Sequence, residues 1–276
     1  MVVIYLIVNL SSGLKVSSKK DPKNKLADIL ATSTPVPTPT PTPTPKPLTF
    51  AEMDELYGPC VHIPVLMYHH VQSKEEAIKG NEVSLTVYTD FFEKQMQYLK
   101  DHGYNVVSTA RLVDFFDNGT KIPGKSVIIT FDDGYEDFYT DAYPILQKFG
   151  FSATVFVPTG LLDNYNYLTW DQISSMKSSI LFANHTWSHK NVMTVASDMQ
   201  YEISTADLQL SEHSLNSPKI FAYPFGLDSV QSEKYLETLG YKAAFTTSSG
   251  STLCKKQRLY LPRIRIGNSL LSAYGF

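Results

Sequence analysis

The chain has 276 residues, of which 43% are hydrophobic, so it is long enough for one sizeable core plus appendages. Its formal net charge of −3 offers no electrostatic attraction to a polyanion, and we therefore exclude nucleic acid as a partner. We expect one main domain and a monomer.

The N-terminal part of the chain is predicted to lie outside the folded domain. An apolar run from Val2 to Leu10 resembles the core of a signal peptide and is too short to span a bilayer, so residues 1–20 are interpreted as a signal or anchor segment. Residues 21–59 are predicted to be a disordered linker, because Pro alternates with Thr from Thr32 to Pro47 and favours extended polyproline II. This layout predicts an extracytoplasmic domain, residues 60–276, that is secreted or tethered to the membrane or cell wall.

Two cysteines lie near the two ends of that domain. Cys60 and Cys254 can form a disulfide in an oxidising compartment, while two unpaired thiols are the alternative.

Short β-rich runs alternate with helical patterns from residue 60 onward, which predicts repeated βα units and a parallel sheet. Helices are predicted over residues 90–101 and from residue 197. The fold class is α/β, a barrel of about seven units that is distorted or open because it has one unit fewer than eight. The predicted strands cover residues 63–67, 104–107, 126–131, 152–157, 180–182, 219–223 and 243–246.

Polar side chains follow four of these strands, at the edge where parallel barrels place their active sites. They are His69 and His70 after the first strand, Asp132 and Asp133 after the third, His185 and His189 after the fifth, and Tyr223 with Pro224 at the end of the sixth.

The acidic and histidine pairs together predict a metal site. His185 and His189 are four residues apart, so one turn or tight loop can bring both imidazoles to one ion, although surface histidines often show this spacing by chance. Asp133 can add a carboxylate while Asp132 remains free as a base; a helix cap is the alternative reading of the acidic pair. Two imidazoles and one carboxylate leave room for water and substrate, as a catalytic zinc site requires.

Two motifs make a specific resemblance. The segments Thr130-Phe131-Asp132-Asp133-Gly134 and His185-Thr186-Trp187-Ser188-His189 resemble the first two motifs of the NodB-type polysaccharide deacetylases, carbohydrate esterase family 4. The resemblance covers roughly residues 61–266 and implies a distorted (β/α)7 barrel. It also implies that Asp132 is the general base and that Asp133, His185 and His189 bind a divalent metal. Zinc is the expected ion, with cobalt or nickel as alternatives.

A third motif is matched with one departure. Residues 221–226 are similar to the family segment whose backbone amide binds the oxyanion, here the amide of Tyr223 beside Pro224. The arginine that orients the base in that motif is replaced by Ala222. Arg263 and Arg265 are the candidate substitutes, with ordinary surface charges as the alternative. Trp170 is a candidate for stacking on a sugar ring, and core packing is the other reading.

The general acid must come from an unusual place, because no histidine follows His213 and the family's C-terminal acid is therefore missing. The segment around His69 looks like the first-strand motif of the branch that deacetylates poly-β-1,6-N-acetylglucosamine. We predict His69 as the acid, with His70 as the alternative acid and a structural histidine as the other reading.

The predicted function is metal-dependent removal of N-acetyl groups from an extracellular polysaccharide, with release of acetate. Poly-N-acetylglucosamine, peptidoglycan and chitin-like chains are the candidate substrates, and acetylated xylan is an ester alternative. Two other hypotheses remain: an iron oxygenase with the same ligands, which predicts a jelly roll, and a carbohydrate-binding relative without turnover, which the loss of arginine at position 222 favours.

Overall fold

A computed structural model describes residues 46–193 and 196–276 of the chain. The predicted signal or anchor segment and residues 21–45 of the predicted linker lie outside these residues. Within them, no helix has the length and apolar character needed to cross a membrane.

The described elements alternate between strands and helices, as the sequence predicts. In chain order the strands are β1 (Cys60–His62), β2 (Val65–Tyr68), β3 (His70–Gln72), β4 (Thr86–Tyr88), β5 (Asn105–Val106), β6 (Ser126–Phe131), β7 (Ala153–Val157), β8 (Ile180–Asn184), β9 (Ile220–Ala222), β10 (Ala243–Ser249), β11 (Thr252–Cys254) and β12 (Leu261–Arg265). The α-helices are α1 (Phe50–Tyr57), α2 (Lys74–Gly80), α3 (Thr89–Asp101), α4 (Thr109–Asn118), α5 (Tyr143–Phe149), α6 (Trp170–Met176), α7 (Ala196–Glu212) and α8 (Val230–Thr238).

Seven parallel strands close into a barrel, which confirms the predicted fold class. The ring runs β2, β12, β10, β9, β8, β7 and β6, and β6 pairs back with β2. One member differs from the prediction, because residues 104–107 form β5, which lies beside the start of β6. Its place in the ring is taken by β12, which the sequence analysis did not assign as a strand. Pro262 lacks a backbone donor, and such a residue argues against a central strand.

Both faces of β2, β6 and β7 are buried, so their sequences are mostly apolar rather than alternating. Along β6, Val127 and Ile129 pack outward with the surrounding helices, whereas Ile128 belongs to the cluster inside the barrel. Leu261 of β12 belongs to the same inner cluster. Strand periodicity then directs Asp132 and Arg263, which follow these residues at even spacing, toward the interior at the carboxyl end of the barrel.

A disulfide joins Cys60 of β1 to Cys254 of β11, two residues that lie directly opposite each other in an antiparallel pair. The alternative of two unpaired thiols is therefore wrong. Helix α1, which lies within the range that the sequence assigned to the linker, packs against this corner, and Lys256 Nζ donates to the Leu56 carbonyl at 2.9 Å. The compact unit accordingly begins at Pro47.

Candidate metal centre and catalytic pocket

A pocket opens at the carboxyl ends of the barrel strands, with a cavity volume of about 370 Å³. Three strand ends deliver most of the predicted polar groups to its wall: β2 presents His69, β6 presents Asp132 and Asp133, and β8 presents His185 and His189. The clustering that the sequence predicts for these five side chains is therefore present.

Three of these side chains converge on one point. Asp133 Oδ1 lies 3.2 Å from His185 Nε2 and 3.0 Å from His189 Nε2. The three groups form the one cluster of histidine, cysteine and acidic side chains with metal-ligand spacing in the described ranges, and their ligand atoms lie within 4.8 Å of one another. Two imidazoles and a carboxylate in this arrangement suit a divalent metal with open coordination positions.

A hydrogen bond to the backbone on the side away from the pocket fixes the orientation of the His185 ring. Its Nδ1 lies 2.7 Å from the carbonyl oxygen of Ala222, which can only accept, so Nδ1 carries the proton and Nε2 presents a lone pair to the pocket. A backbone carbonyl in this role is a common support of metal-binding histidines. The strand β9 thus contributes to the centre through its backbone rather than through the Ala222 side chain.

Sharp turns bring the ligands together. Asp133 and His189 both adopt left-handed backbone conformations, with φ of 72° and 58°. A non-glycine residue in this region costs of order 1 kcal/mol and persists only when its surroundings hold it there. The turn at Asp133 reverses the chain directly after β6, so Asp132 and Asp133 leave the strand in different directions.

The charges of the cluster fit a bound cation. Burial would raise the pKa of Asp133, but the adjacent His185 and His189 imidazoles hold it well below its usual range. Burial would lower the pKa of His185, but the Asp133 and Asp132 carboxylates raise it. Asp133 Oδ1 is buried and lacks a hydrogen-bond donor of good geometry within the described residues. An ionised oxygen between two imidazole nitrogens is the donor set expected for a divalent metal.

The loop that carries both histidines is held by two buried polar side chains. Asn184 accepts a hydrogen bond from the Thr186 amide at 2.7 Å and donates to the Ile203 carbonyl at 3.1 Å. Glu202 of α7, which is 1% exposed, accepts from both the amide and the hydroxyl of Ser188, at 2.7 and 2.6 Å. These bonds fix the backbone between His185 and His189.

Asp132 is paired with Arg263 inside the barrel. The guanidinium donates from Nη1 to Oδ1 at 2.7 Å and from Nη2 to Oδ2 at 2.6 Å, and both side chains are buried. Arg263 is itself fixed by bonds to the Thr246 carbonyl and the Thr130 hydroxyl. Burial would raise the pKa of Asp132, but the Arg263 charge and hydrogen bonds lower it, so the carboxylate is ionised near neutral pH.

The two arginine candidates have different surroundings. Arg263 occupies the interior next to Asp132, whereas Arg265 is exposed and donates to the Ser84 carbonyl at 3.0 Å. The reading of Arg263 as an ordinary surface charge is therefore wrong.

The two adjacent histidines after β2 also separate. His69 lines the catalytic pocket with Asp132 and Asp133, and burial lowers its pKa although the two carboxylates oppose that effect. His70 is turned away: its Nδ1 lies 2.5 Å from Asp137 Oδ2, and its ring stacks on Tyr135. Only His69 faces the candidate metal centre, which leaves His70 poorly placed as the alternative acid.

Three residues predicted to contact the substrate are not available for that contact in the structure. The Tyr223 amide donates to the Phe245 carbonyl at 3.0 Å within the sheet, so in this conformation it is not free for an oxyanion. Pro224 is buried in a 3-10 turn and does not line the pocket. Trp170 stacks on His213, with ring centroids 3.9 Å apart and nearly parallel, and does not line the pocket either. The Trp170 packing agrees with the alternative reading.

Two aromatic residues of the pocket were not predicted as site residues. Tyr135 follows Gly134 and forms one wall; burial, followed by the Asp133 charge, raises its pKa above the usual range. Phe225 is 62% exposed, has a φ of 62°, and its ring lies 4.8 Å from that of His189. Phe225 belongs to the segment quoted for the third motif, and Tyr135 directly follows the segment quoted for the first, so an aromatic residue beside the reactive groups is the available signal.

Comparison with known proteins gives a consistent set of relatives. A family model described as polysaccharide deacetylase matches residues 119–244. The protein YxkH of Bacillus subtilis (strain 168), whose name marks it as a candidate polysaccharide deacetylase, is 31% identical over 216 residues, covering 77% of this chain and 75% of its own. The poly-β-1,6-N-acetyl-D-glucosamine N-deacetylase of Staphylococcus aureus (strain MSSA476) is 28% identical over 218 residues, 73% of each chain.

A solved structure agrees with this set. The Streptococcus pyogenes deacetylase PplD in complex with acetate has a TM-score of 0.67 and 36% identity, over 75% of this chain and 92% of that one. The residues matched by the family model include Asp133, His185 and His189, whereas His69 and Arg263 lie outside that range.

Proposed function

The chain belongs to the polysaccharide deacetylase family, and from this premise we propose that it hydrolyses N-acetyl groups on an extracellular poly-N-acetylglucosamine chain. The observation that carries the proposal is the position of an ionised, arginine-held carboxylate, Asp132, beside the Asp133–His185–His189 cluster. Acetate and a free amino sugar are the products. The Staphylococcus aureus relative, named for poly-β-1,6-N-acetyl-D-glucosamine, favours this polymer over peptidoglycan, chitin-like chains or acetylated xylan.

In the proposed reaction, Asp132 accepts a proton from the attacking water while Arg263 keeps its carboxylate oriented. Asp133, His185 and His189 hold a divalent metal, with zinc first and cobalt or nickel as alternatives. When bound, such an ion polarises the acetamide carbonyl and lowers the pKa of water to about 7. A carbon–oxygen bond forms, the amide carbon–nitrogen bond breaks, and the leaving amine takes a proton.

His69 is the proposed donor of that proton. It lines the same pocket as the metal cluster, and because burial lowers its pKa, its protonated form is a stronger acid than a solvent-exposed imidazolium. An unprotonated amine leaves poorly, so an amide needs this donor more than an ester does.

The disulfide and the sequence of the segments before the domain support the proposed location. A Cys60–Cys254 bond supports an oxidising, extracytoplasmic compartment. We propose that residues 1–20 direct or anchor the protein and that the part of the predicted linker before Pro47 acts as a spacer. The compact unit from Pro47 acts as a monomer on the cell surface or outside it.

Two competing hypotheses lose their support. The parallel barrel is not the jelly roll that an iron oxygenase with the same ligands predicts. A carbohydrate-binding relative without turnover was favoured by the missing arginine at position 222, but Arg263 places a guanidinium on Asp132 from another strand.

The proposal is tested by acetate release from defined glycans. Metal-stripped protein is restored with zinc, cobalt or nickel and incubated with poly-β-1,6-N-acetylglucosamine, peptidoglycan, chitin oligomers and acetylated xylan. We expect metal-dependent release that is fastest from the β-1,6-linked polymer. No release from any of these glycans with any of the ions would overturn the proposed function.

A further inference from the structure

A second pocket adjoins the catalytic pocket on the far side of Tyr135. The Tyr135 ring lines the catalytic pocket and stacks on the ring of His70, with centroids 3.6 Å apart. His70 in turn lines a cavity of about 440 Å³ between α2, residues 136–141 and residues 165–166. We call this cavity the side pocket. Its position makes it a neighbour of the reacting group along an extended substrate.

A buried hydrogen-bond acceptor faces the side pocket without a donor. His70 is 3% exposed, and in the neutral ring the Nδ1 that donates to the Asp137 carboxylate leaves a lone pair on Nε2. Nε2 has no hydrogen-bond partner within the described residues. The Glu82 Oε2 atom lies 3.7 Å away and already accepts from Gln72 Nε2 at 3.0 Å, which leaves it a second lone pair. A buried acceptor left unpaired is costly, and a ligand that brings N–H donors would satisfy His70 Nε2 and also reach Glu82 Oε2.

The side pocket also carries an excess of negative charge. Five carboxylates line it and one ammonium, that of Lys79, opposes them; the acidic residues are Glu76, Glu82, Glu136, Asp137 and Asp141. This balance favours a cationic ligand over a neutral or anionic one.

The nature of the cation follows from the number of free ligand atoms. The two Asp137 oxygens are already engaged, one by His70 and the other by the Val71 amide at 3.3 Å. Within the described residues, the side pocket holds no group of three histidine, cysteine or acidic ligand atoms close enough together for one ion, whereas protein sites for divalent metals usually supply three or more ligands. The acceptor pair that it does offer is His70 Nε2 and Glu82 Oε2. Two acceptors at this separation suit an ammonium group, which donates in several directions.

An aromatic side chain at the rim gives the side pocket the character of a sugar site. Tyr165 lines it and is 90% exposed, so its ring is free to cover the apolar face of a sugar. The loop beneath it is fixed, because the Glu136 amide donates to the Asn166 carbonyl and the Leu168 amide to the Gly134 carbonyl, both at 2.9 Å.

We propose that the side pocket binds a sugar with a free ammonium group, so that the protein recognises partially deacetylated chains. The inference rests on the proposed deacetylase function and specifies its substrate. Since each turnover creates such an amino sugar, a chain that has already lost acetyl groups becomes a better substrate than an untouched one.

The test compares β-1,6-linked N-acetylglucosamine pentamers, one fully acetylated and others with a single free amine at each position in turn. The readout is the ratio of kcat/KM for acetate release from the best amine-bearing pentamer to that from the acetylated one. We expect a ratio of about five, in line with one charge-assisted contact near the surface.

Glu82→Gln removes the charge at similar shape and should bring this ratio close to one. Glu75→Gln changes a carboxylate of the neighbouring helix α2 that lies outside the side pocket, and it should keep the wild-type ratio. A wild-type ratio of one, or equal losses in both variants, would overturn the inference.

A binding measurement separates this inference from the proposed function. Calorimetry with the fully deacetylated pentamer needs no turnover: binding by the wild type that Glu82→Gln weakens supports the side pocket even if no acetate is ever released. Acetate release without such binding overturns the side pocket alone. A second equivalent of zinc bound by the wild type and lost in Glu82→Gln would assign the pocket to a metal and also overturn the inference.

Discussion

Arg263 and Asp132 form a bidentate ion pair inside the barrel, although they are 131 positions apart in the chain. The family places an arginine in its third motif for this purpose, where this chain has Ala222. The guanidinium on β12 reaches the same carboxylate from a different strand. The pair therefore keeps Asp132 ionised and fixed in the pocket that also holds the metal cluster, without an arginine at position 222.

Arg263→Lys tests this pairing. Lysine keeps the positive charge but not the planar fork, so Asp132 loses one of two bonds and its fixed orientation. We expect kcat for acetate release to fall about 100-fold, as misplacement of a reacting group commonly causes. Metal content should stay at the wild-type level.

Arg258→Lys is the matched control, since Arg258 pairs with Asp117 outside the pocket, at 2.6 Å. Equal activity of the Arg263 and Arg258 variants would remove Arg263 from the positioning role.

Glu202→Gln tests the support of the histidine loop. The buried Glu202 carboxylate accepts two hydrogen bonds from Ser188, which lies between the two histidine ligands. Glutamine offers one acceptor oxygen in place of two, so it can keep only one of the two hydrogen bonds from Ser188. Loss of a hydrogen bond that supports metal ligands weakens metal binding about 10-fold. Zinc affinity, measured by competition with a chelator, checks this expectation. Glu212→Gln, an exposed change at the end of the same helix, should leave the affinity unaltered, and a similar affinity in both variants would contradict the account.

His69→Gln distinguishes a general acid from a structural histidine. An amide depends on protonation of its leaving amine, whereas an activated acetate ester does not. We expect acetate release from the glycan to fall about 100-fold, with ester hydrolysis reduced only a few-fold. The exposed His62→Gln variant is the control. Equal losses on the amide and the ester would exclude His69 as the acid.

The disulfide provides a stability prediction that is independent of catalysis. Cys60 and Cys254 are 194 residues apart, so their bond restricts a long loop of the unfolded chain. Replacing both by Ser should lower the free energy of unfolding by about 5 kcal/mol in the chain-entropy description. Denaturant titration of the double variant, and of the wild type with and without reductant, measures this difference. An unchanged midpoint would show that the bond contributes nothing.

Much of the candidate site could be predicted because its residues sit in contiguous motifs at strand ends. Asp132 and Asp133 directly follow one apolar strand, and His185 and His189 follow another. Because the carboxyl ends of parallel barrel strands share one rim, this position predicts that the acidic pair and the histidine pair lie near each other. The barrel itself follows from the alternation of strand and helix patterns.

The remaining features depend on contacts that local patterns do not encode. The partner of Asp132 lies on β12, which local patterns do not predict because Pro262 interrupts the β pattern. The sequence names Arg263 as a candidate but does not show that it is buried inside the barrel whereas Arg265 is exposed. Likewise, the sequence did not show that the Tyr223 amide is used within the sheet, or that His69 and His70 face different pockets.

The most direct measurement for the central claim uses Asp132→Asn in parallel with the wild type. Both proteins are loaded with one equivalent of zinc, and acetate release and affinity for poly-β-1,6-N-acetylglucosamine oligomers are measured on the same samples. The account predicts that the variant binds zinc and oligomer like the wild type but releases acetate at least about 100-fold more slowly, because only the base is lost. Undiminished acetate release by this variant would contradict the assignment of Asp132 and the mechanism built on it.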